Sequence, residues 1–530
     1  MPLETPARIV RELAERGYNA DREAVTLLAN QPDPQRAIER AVESAPDDVL
    51  VLSAEYVRKS IETDPTGDGY TTPREDDTTG NTSSKPTEKD PSASTGTTDS
   101  KSPGSVAESP VETKGSERRK ASETLSRAGS EGREIEVSGD IASTGTGEYG
   151  DFVATFRDRY EKLASQLRGR VNHRPTNTIE QMAPGSDAGL IGLVSDIRST
   201  ASGHWLVELE DTTGTFPCLV MKDREFASDV MTLLHDEVVA VEGTLADDGG
   251  ILFVDTLHFP DVPRTHSPST ADRPVEAALI SDVHVGSEEF LEDAWQRFAD
   301  WLHTPEAERI EYLLIAGDMV EGIGVYPDQD DELEIIDIYD QYEAFSEHLK
   351  DVPGDMEIVM IPGNHDAVRL AEPQPAFDEE LRDIMTAHDA TISANPSTVT
   401  IEGVSVLMYH GVSLDEVIAE LPDEAATYER PQDAMEQLLR KRHVAPQYGG
   451  QTRIAPEAED HLVMEEVPDI FHTGHVHKLG YGKYHNVLSI NSSCWQAQTD
   501  FQKSVNLVPD VGYAPIVDLQ TLDLTIRQFV

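Results

Sequence analysis

The stretch Leu279-Ile280-Ser281-Asp282-Val283-His284-Val285-Gly286 decides the reading of this chain. The apolar run that precedes it, from Val275, has the length and composition of a buried strand. Asp282 and His284 stand two apart, and residues i and i+2 of a strand face the same side. At a strand end this sets a carboxylate beside an imidazole. Four further fragments carry the same kind of chemistry. They are Ala316-Gly317-Asp318, Pro362-Gly363-Asn364-His365-Asp366, Tyr409-His410-Gly411 and Thr473-Gly474-His475-Val476-His477. One Asp-x-His pair means little, but this succession of fragments reads as a ligand set.

Carboxylates and neutral imidazoles, with one carboxylate shared, are what a site for two divalent ions needs. Asp282, His284 and His477 suit one ion, and Asn364, His410 and His475 the other. Asp318, behind the run Leu313-Leu314-Ile315-Ala316-Gly317, is placed to bridge. Such mixed nitrogen and oxygen donors suit manganese, iron or zinc better than calcium or magnesium. Two ions about 3.5–4 Å apart serve in-line attack of hydroxide on phosphorus. His365 is not needed as a ligand, so it is the candidate catalytic residue, protonating the leaving oxygen.

Working outward, the region from 264 to 530 alternates apolar strands with helical stretches, and each candidate ligand follows a strand. This predicts a layered α/β domain with its site at the strand ends. Residues 187–263 alternate apolar and polar positions in five short runs, with a helix expected over 223–234 after the third. That is the order of an OB-fold β-barrel. Trp205 is its clear stacking candidate, and the segment is poor in Lys and Arg, which favours a scaffold role. An amphipathic helix and connector are expected over 149–186. Residues 59–148 are an acidic, Ser/Thr-rich segment with too few large apolar side chains to fold, and are expected to be a disordered linker. Residues 1–58 read as a small helical domain.

The 530 residues hold 43 Lys+Arg against 99 Asp+Glu, a formal net charge of −56. The acid is spread through every segment, which fits a solvent adaptation to concentrated salt better than an acidic tail for basic partners. The run Arg440-Lys441-Arg442-His443 stands out against this background as a candidate contact for DNA phosphates. In the 322–342 insert, Tyr326, Tyr339 and Tyr342 either pack around a terminal nucleotide or fill the core. Two cysteines, Cys218 and Cys494, exclude a disulfide framework. The start Met-Pro-Leu-Glu-Thr-Pro lacks the features of a leader, and no apolar run approaches the roughly 20 residues of a membrane span, so a soluble cytoplasmic protein is expected.

The ordered set Asp-x-His, Gly-Asp, Gly-Asn-His-Asp, His and Gly-His-x-His, over about residues 275–500, resembles the calcineurin-like metallophosphoesterases. Three more stretches narrow the likeness. Residues 322–342, Arg440 to Tyr448, and Asn491-Ser-Ser-Cys-Trp-Gln-Ala-Gln-Thr499 are similar to the small subunits of archaeal family D DNA polymerases. The barrel-type segment behind a polar linker is similar too, and the acidity resembles that of halophilic archaea. The resemblance implies a calcineurin-like layered β-sandwich with flanking helices and a 3′→5′ DNA exonuclease that proofreads. It also implies two divalent ions, with manganese first and iron, zinc or magnesium behind it. The partners would be a large catalytic subunit and DNA 3′ ends, with a sliding clamp or other replication proteins as further partners. In that family the ligand positions correspond to Asp282, His284, Asp318, Asn364, His410, His475 and His477, with His365 catalytic. The alternatives are a metallophosphatase on small phosphoesters and a non-catalytic accessory subunit.

Overall fold

The computed structural model describes residues 19–20, 24, 27–28, 34–43, 51–52, 57–59, 135–138, 141, 147–324 and 329–530. The chain divides into two compact units, Met1–Lys114 and Gly115–Val530. In the first, strands Asn19–Ala20 and Val51–Leu52 pair in parallel, and the helix Pro34–Glu43 buries Ala37, Ile38 and Ala41. Most of the expected helical domain and nearly all of the expected linker lie outside the described residues.

The second unit is built on two six-stranded sheets and a closed five-stranded barrel. The first sheet contains β7 (Glu276–Ile280), β8 (Ile310–Ala316), β9 (Glu357–Ile361), β10 (Thr391–Ile392), β16 (Tyr513–Asp518) and β17 (Asp523–Gln528). Its order is β10-β9-β8-β7-β16-β17; the first four strands run parallel, β16 runs antiparallel to β7, and β17 antiparallel to β16. The second contains β1 (Ile135–Ser138), β11 (Ser397–Ile401), β12 (Val404–Met408), β13 (Ile470–Thr473), β14 (Leu479–Tyr484) and β15 (Val487–Ser492), in the order β14-β15-β13-β12-β11-β1.

Alternation along each strand explains the layering. Leu279 of β7, Leu314 of β8 and Ile361 of β9 face Ile401 of β11, Met408 of β12 and Ile490 of β15, which makes the core between the sheets. The intervening residues face outward. Ile280, Leu313 and Ile315 meet Trp295 and Phe298 of α2 (Glu292–Leu302) and Phe345 of α3 (Ile338–Leu349). Leu407 and Phe471 meet Leu414 of α4 (Ser413–Glu420) and Leu438 of α5 (Pro431–Lys441). Each such side chain contributes about 1.5–3 kcal/mol on full burial.

The barrel has the order β2 (Asp187–Ser199), β3 (Trp205–Asp211), β4 (Gly214–Val220), β6 (Leu252–His258) and β5 (Val238–Leu245), closed by β5 on β2. The helix expected over 223–234 is only a short 3-10 turn, Ala227–Thr232. Ser228, Asp229 and Thr232 disfavour a longer α-helix, because their side chains compete for backbone groups; Thr232 Oγ1 donates to the Asp229 carbonyl. Trp205 is half-buried against the barrel core.

Helix α1 (Tyr149–Leu167) joins barrel and sheets. Tyr160, Leu163 and Leu167 pack on Ile191, Val238 and Ala240 of the barrel. From the same helix, buried Arg159 donates through Nε to Asp460 Oδ2 at 2.6 Å, and His443 Nε2 lies 3.0 Å from that oxygen. The basic run at the end of α5 belongs to this seam. The Arg440 guanidinium lies 3.8 Å over the Phe259 ring and 3.2 Å from Asp229 Oδ2. Lys441, fully buried, donates to the Thr232 carbonyl at 2.7 Å and pairs with Glu237 at 3.1 Å. Arg442, also buried, donates to the Glu465 carbonyl at 2.9 Å. The expectation that Arg440, Lys441 and Arg442 meet DNA phosphates does not fit these positions. The barrel region and the loop that carries Glu465 supply the carboxylates and carbonyls that the isolated cations need, so the run binds this chain to itself.

A candidate two-ion centre

The candidate ligands meet at one rim because both sheets send the carboxyl ends of their parallel strands there. The chain leaves β7 at Asp282 and β8 at Asp318, and their backbones stay paired: Asp282 N donates to the Gly317 carbonyl and Val283 N to that of Asp318. Asn364 and His365 follow β9, His410 follows β12, and His475 and His477 follow β13. Two glycines allow the close approach. A Cβ at Gly363 would collide with Asp318 Oδ1, and one at Gly474 with Asp282 Oδ2. Their absence lets His365 N reach Asp318 Oδ1 at 2.8 Å and His475 N reach Asp282 Oδ2 at 2.9 Å. Asp282, His284, Asp318, His475 and His477 all adopt positive φ, between 50° and 71°.

Two clusters result. Around Asp282, the Nε2 atoms of His284 and His477 face each other at 3.1 Å, and Asp282 Oδ1 lies 3.4 Å from the latter. Around Asp318, His410 Nε2 lies 3.1 Å from Asp318 Oδ2 and 3.0 Å from Asn364 Oδ1. Donor atoms of Asp318, His410 and His475 fall within 4.8 Å of one another, as do those of Asp282, His284 and His477, and those of His284, Asp318 and His365. The last set brings the candidate catalytic histidine against the same two residues.

The arrangement fits cations. His410 Nδ1 lies 2.8 Å from the Ala316 carbonyl and can only donate there, so in neutral His410 a lone pair on Nε2 faces two oxygens. Buried lone pairs aimed at one another repel unless a proton or a metal ion stands between them. Burial alone would lower the His410 pKa, but the Asp318 carboxylate outweighs it and raises it to about 10. Burial likewise acts to raise the Asp318 pKa; His410 and His365 overcome this and hold it well below the usual range. A proton there takes the place that a divalent ion would fill.

The surroundings fix these side chains. Glu321 Oε2 lies 2.9 Å from His284 Nδ1, an ion-pair contact whose charge favours a proton on that nitrogen. The same carboxylate accepts from Gln496 at 2.7 Å and Gln329 at 3.1 Å. Burial would raise its pKa, but His284 and its other partners lower it to about 2. The Glu321 carbonyl accepts from His365 Nδ1 at 2.7 Å, and the His365 side chain retains 17% exposure. The Gln502 amide lies 2.8 Å from His477 Nδ1. His475 Nε2 lies 3.1 Å from Asp415 Oδ2. Sequence reading missed Glu321, Gln502 and Asp415. Glu321 stands three residues after Asp318 and so had a positional signal; the other two had none.

Of the insert tyrosines, Tyr342 is a core residue that donates to Asp366 Oδ1 at 3.0 Å, Tyr339 is exposed, and Tyr326 lies outside the described residues. Asp366 also accepts from Gly363 N at 2.8 Å; burial and the Asp318 charge raise its pKa to about 7. Among the described residues, no helix is long and apolar enough to cross a membrane.

Comparison with known proteins gives a consistent picture. The family model for the B subunits of DNA polymerases alpha and epsilon matches residues 277–479. The DNA polymerase II small subunit of Halobacterium salinarum is 63% identical over 531 residues, spanning the whole of both chains. That of Archaeoglobus fulgidus is 44% identical over 375 residues, 69% of this chain and 74% of its own. That of Pyrococcus furiosus is 39% identical over 408 residues, 73% and 66% respectively.

Proposed function

Because the chain belongs to the family of archaeal DNA polymerase II small subunits, we propose that its two-ion centre hydrolyses phosphodiester bonds at the 3′ end of DNA. As a small subunit of a DNA polymerase it has a large catalytic subunit as its partner, and its acidity fits a halophilic origin. The observation that carries the hydrolytic reading is the convergence of His410 Nε2, Asp318 Oδ2 and Asn364 Oδ1, a donor set that suits a divalent ion in place of the His410 proton.

In this reading the paired sheets are a calcineurin-like phosphoesterase layer and the barrel is an OB-fold scaffold. Asp282, His284 and His477 would hold one divalent ion, and Asn364, His410 and His475 the other. Asp318 would serve both. Manganese suits the mixed donors best. When bound, the ions supply Lewis acidity to the phosphate and a nucleophile at neutral pH. The chain's own residues do the rest. Asp318 orients His365 through its backbone N–H. His365, with Nδ1 committed to the Glu321 carbonyl, would use Nε2 to deliver a proton to the leaving 3′ oxygen. Removing mismatched nucleotides would make the subunit a proofreader for its partner. A sliding clamp or other replication proteins would join through the assembled polymerase.

The test is hydrolysis of 5′-labelled single-stranded and mismatched DNA by the full chain, alone and with its large subunit, in Mn²⁺ and concentrated KCl. Stepwise shortening from the 3′ end supports the reading. Cleavage of small phosphomonoesters alone makes the protein a metallophosphatase. No cleavage in either setting makes it an accessory subunit.

A further inference from the structure

We propose that Asp415 is a positioning residue for the second ion: through its hydrogen bond with His475 it sets that ring so that Nδ1 faces Asp318 and His410. The inference rests on the metal-centre reading above and goes beyond its ligand set.

The geometry begins with the chain path. His410 ends β12, and α4 starts three residues later at Ser413, so Asp415 lies in the first turn of the helix that follows a ligand. The Gly474 N–H donates to the His410 carbonyl at 2.7 Å, which draws the β13 end, and with it His475, alongside that turn. Asp415 therefore meets His475 from a neighbouring strand end: Oδ2 lies 3.1 Å from His475 Nε2. The other oxygen accepts from Tyr428 OH at 3.0 Å, so the carboxylate cannot rotate freely.

An ionised carboxylate only accepts, so Nε2 carries the proton and Nδ1 is left with the lone pair. His475 shares a donor cluster with Asp318 and His410, and Asp415 is not in that cluster. A carboxylate behind a metal-binding imidazole fixes its tautomer and rotation and raises its basicity. His410 is held the opposite way round. There a backbone carbonyl holds Nδ1 and turns Nε2 inward, whereas at His475 a side chain holds Nε2 and so leaves Nδ1 as the nitrogen for an ion.

The test is a calorimetric titration of the metal-stripped full chain with Mn²⁺ in concentrated KCl. Asp415→Ala should weaken one of two ions by ~10–100-fold and leave the other within about threefold. Asp415→Asn keeps an acceptor oxygen and should lose less than about tenfold. Unchanged binding of both ions in Asp415→Ala, or equal loss at both, would overturn the inference. Should Asp415→Ala fail to fold, the imidazole ¹⁵N spectrum of the unaltered, metal-free chain at alkaline pH decides. A proton on His475 Nε2 supports the inference, and a proton on Nδ1 overturns it. Neither measurement depends on turnover, so failure of the nuclease reading is scored separately in the DNA assay.

Discussion

Glu321→Gln tests whether the donor network behind the ligands matters as much as the ligands. The substitution keeps shape and removes charge. In the folded protein this carboxylate meets Gln496 Nε2 at 2.7 Å, Gln329 Nε2 at 3.1 Å and His284 Nδ1 at 2.9 Å. Two oxygens can meet all of these donors. An amide offers one oxygen, and its NH₂ must face at least one of them. One buried donor left unmet costs about 1–3 kcal/mol. The least constrained response is for His284 to change tautomer or swing, because the two glutamines hold loops that would otherwise move. Losing such a partner typically costs 10–100-fold in ion affinity or activity, about 1.4–2.8 kcal/mol. Mn²⁺ titration should therefore show one weakened site, with DNA hydrolysis falling in parallel and the thermal midpoint shifting by only a few degrees. Parental affinity for both ions together with a rate within about threefold would refute the reasoning.

Three further outcomes are expected. Asp460→Ala strands Arg159 and its buried charge, so urea denaturation should show a loss of about 3–5 kcal/mol. Glu372 is fully buried, and burial lifts its pKa to about 7 from an ordinary 4.5, although the bond from Tyr409 opposes this. Its folded form therefore holds a proton that the unfolded form releases. The favourable contribution is complete below pH 4.5 and is lost as pH rises through 7. Glu372→Gln should escape that loss, unfolding about 2–3 kcal/mol later than the parent at pH 8 and at a similar point at pH 4. Against burial, the Asp318 carboxylate pushes the His410 pKa up to about 10, so an ion at that site must displace its proton. Mn²⁺ affinity there should rise up to about tenfold per pH unit between 6 and 9, with proton release measurable in weakly buffered solution.

Particular residues show what the amino-acid order discloses. The run ending at Ile280 and the run Leu313-Leu314-Ile315-Ala316 are apolar on both faces because β7 and β8 are covered on both sides, and that pattern is local. What sits opposite a side chain is not local. Arg440 to His443 looked like a surface patch because nothing nearby in sequence neutralises it; its partners, Asp229, Glu237 and Asp460, come from the barrel and a distant loop. Asp415 and Gln502 were invisible for the same reason. Each is an ordinary polar residue in a short helix whose meaning depends on which histidine the fold brings against it.

The left-handed backbone at Asp282, His284, Asp318, His475 and His477 sets two local costs against each other. An L-residue in that region costs roughly 1–2 kcal/mol that glycine does not incur. The side chains return part of it: Asp282 Oδ2 accepts the His475 N–H and Asp318 Oδ1 the His365 N–H, bonds that a glycine would leave unmet at about 1–3 kcal/mol each. A glycine there would relieve the backbone and unseat a neighbouring candidate ligand in the same step, so a melting temperature alone would hide what had been exchanged.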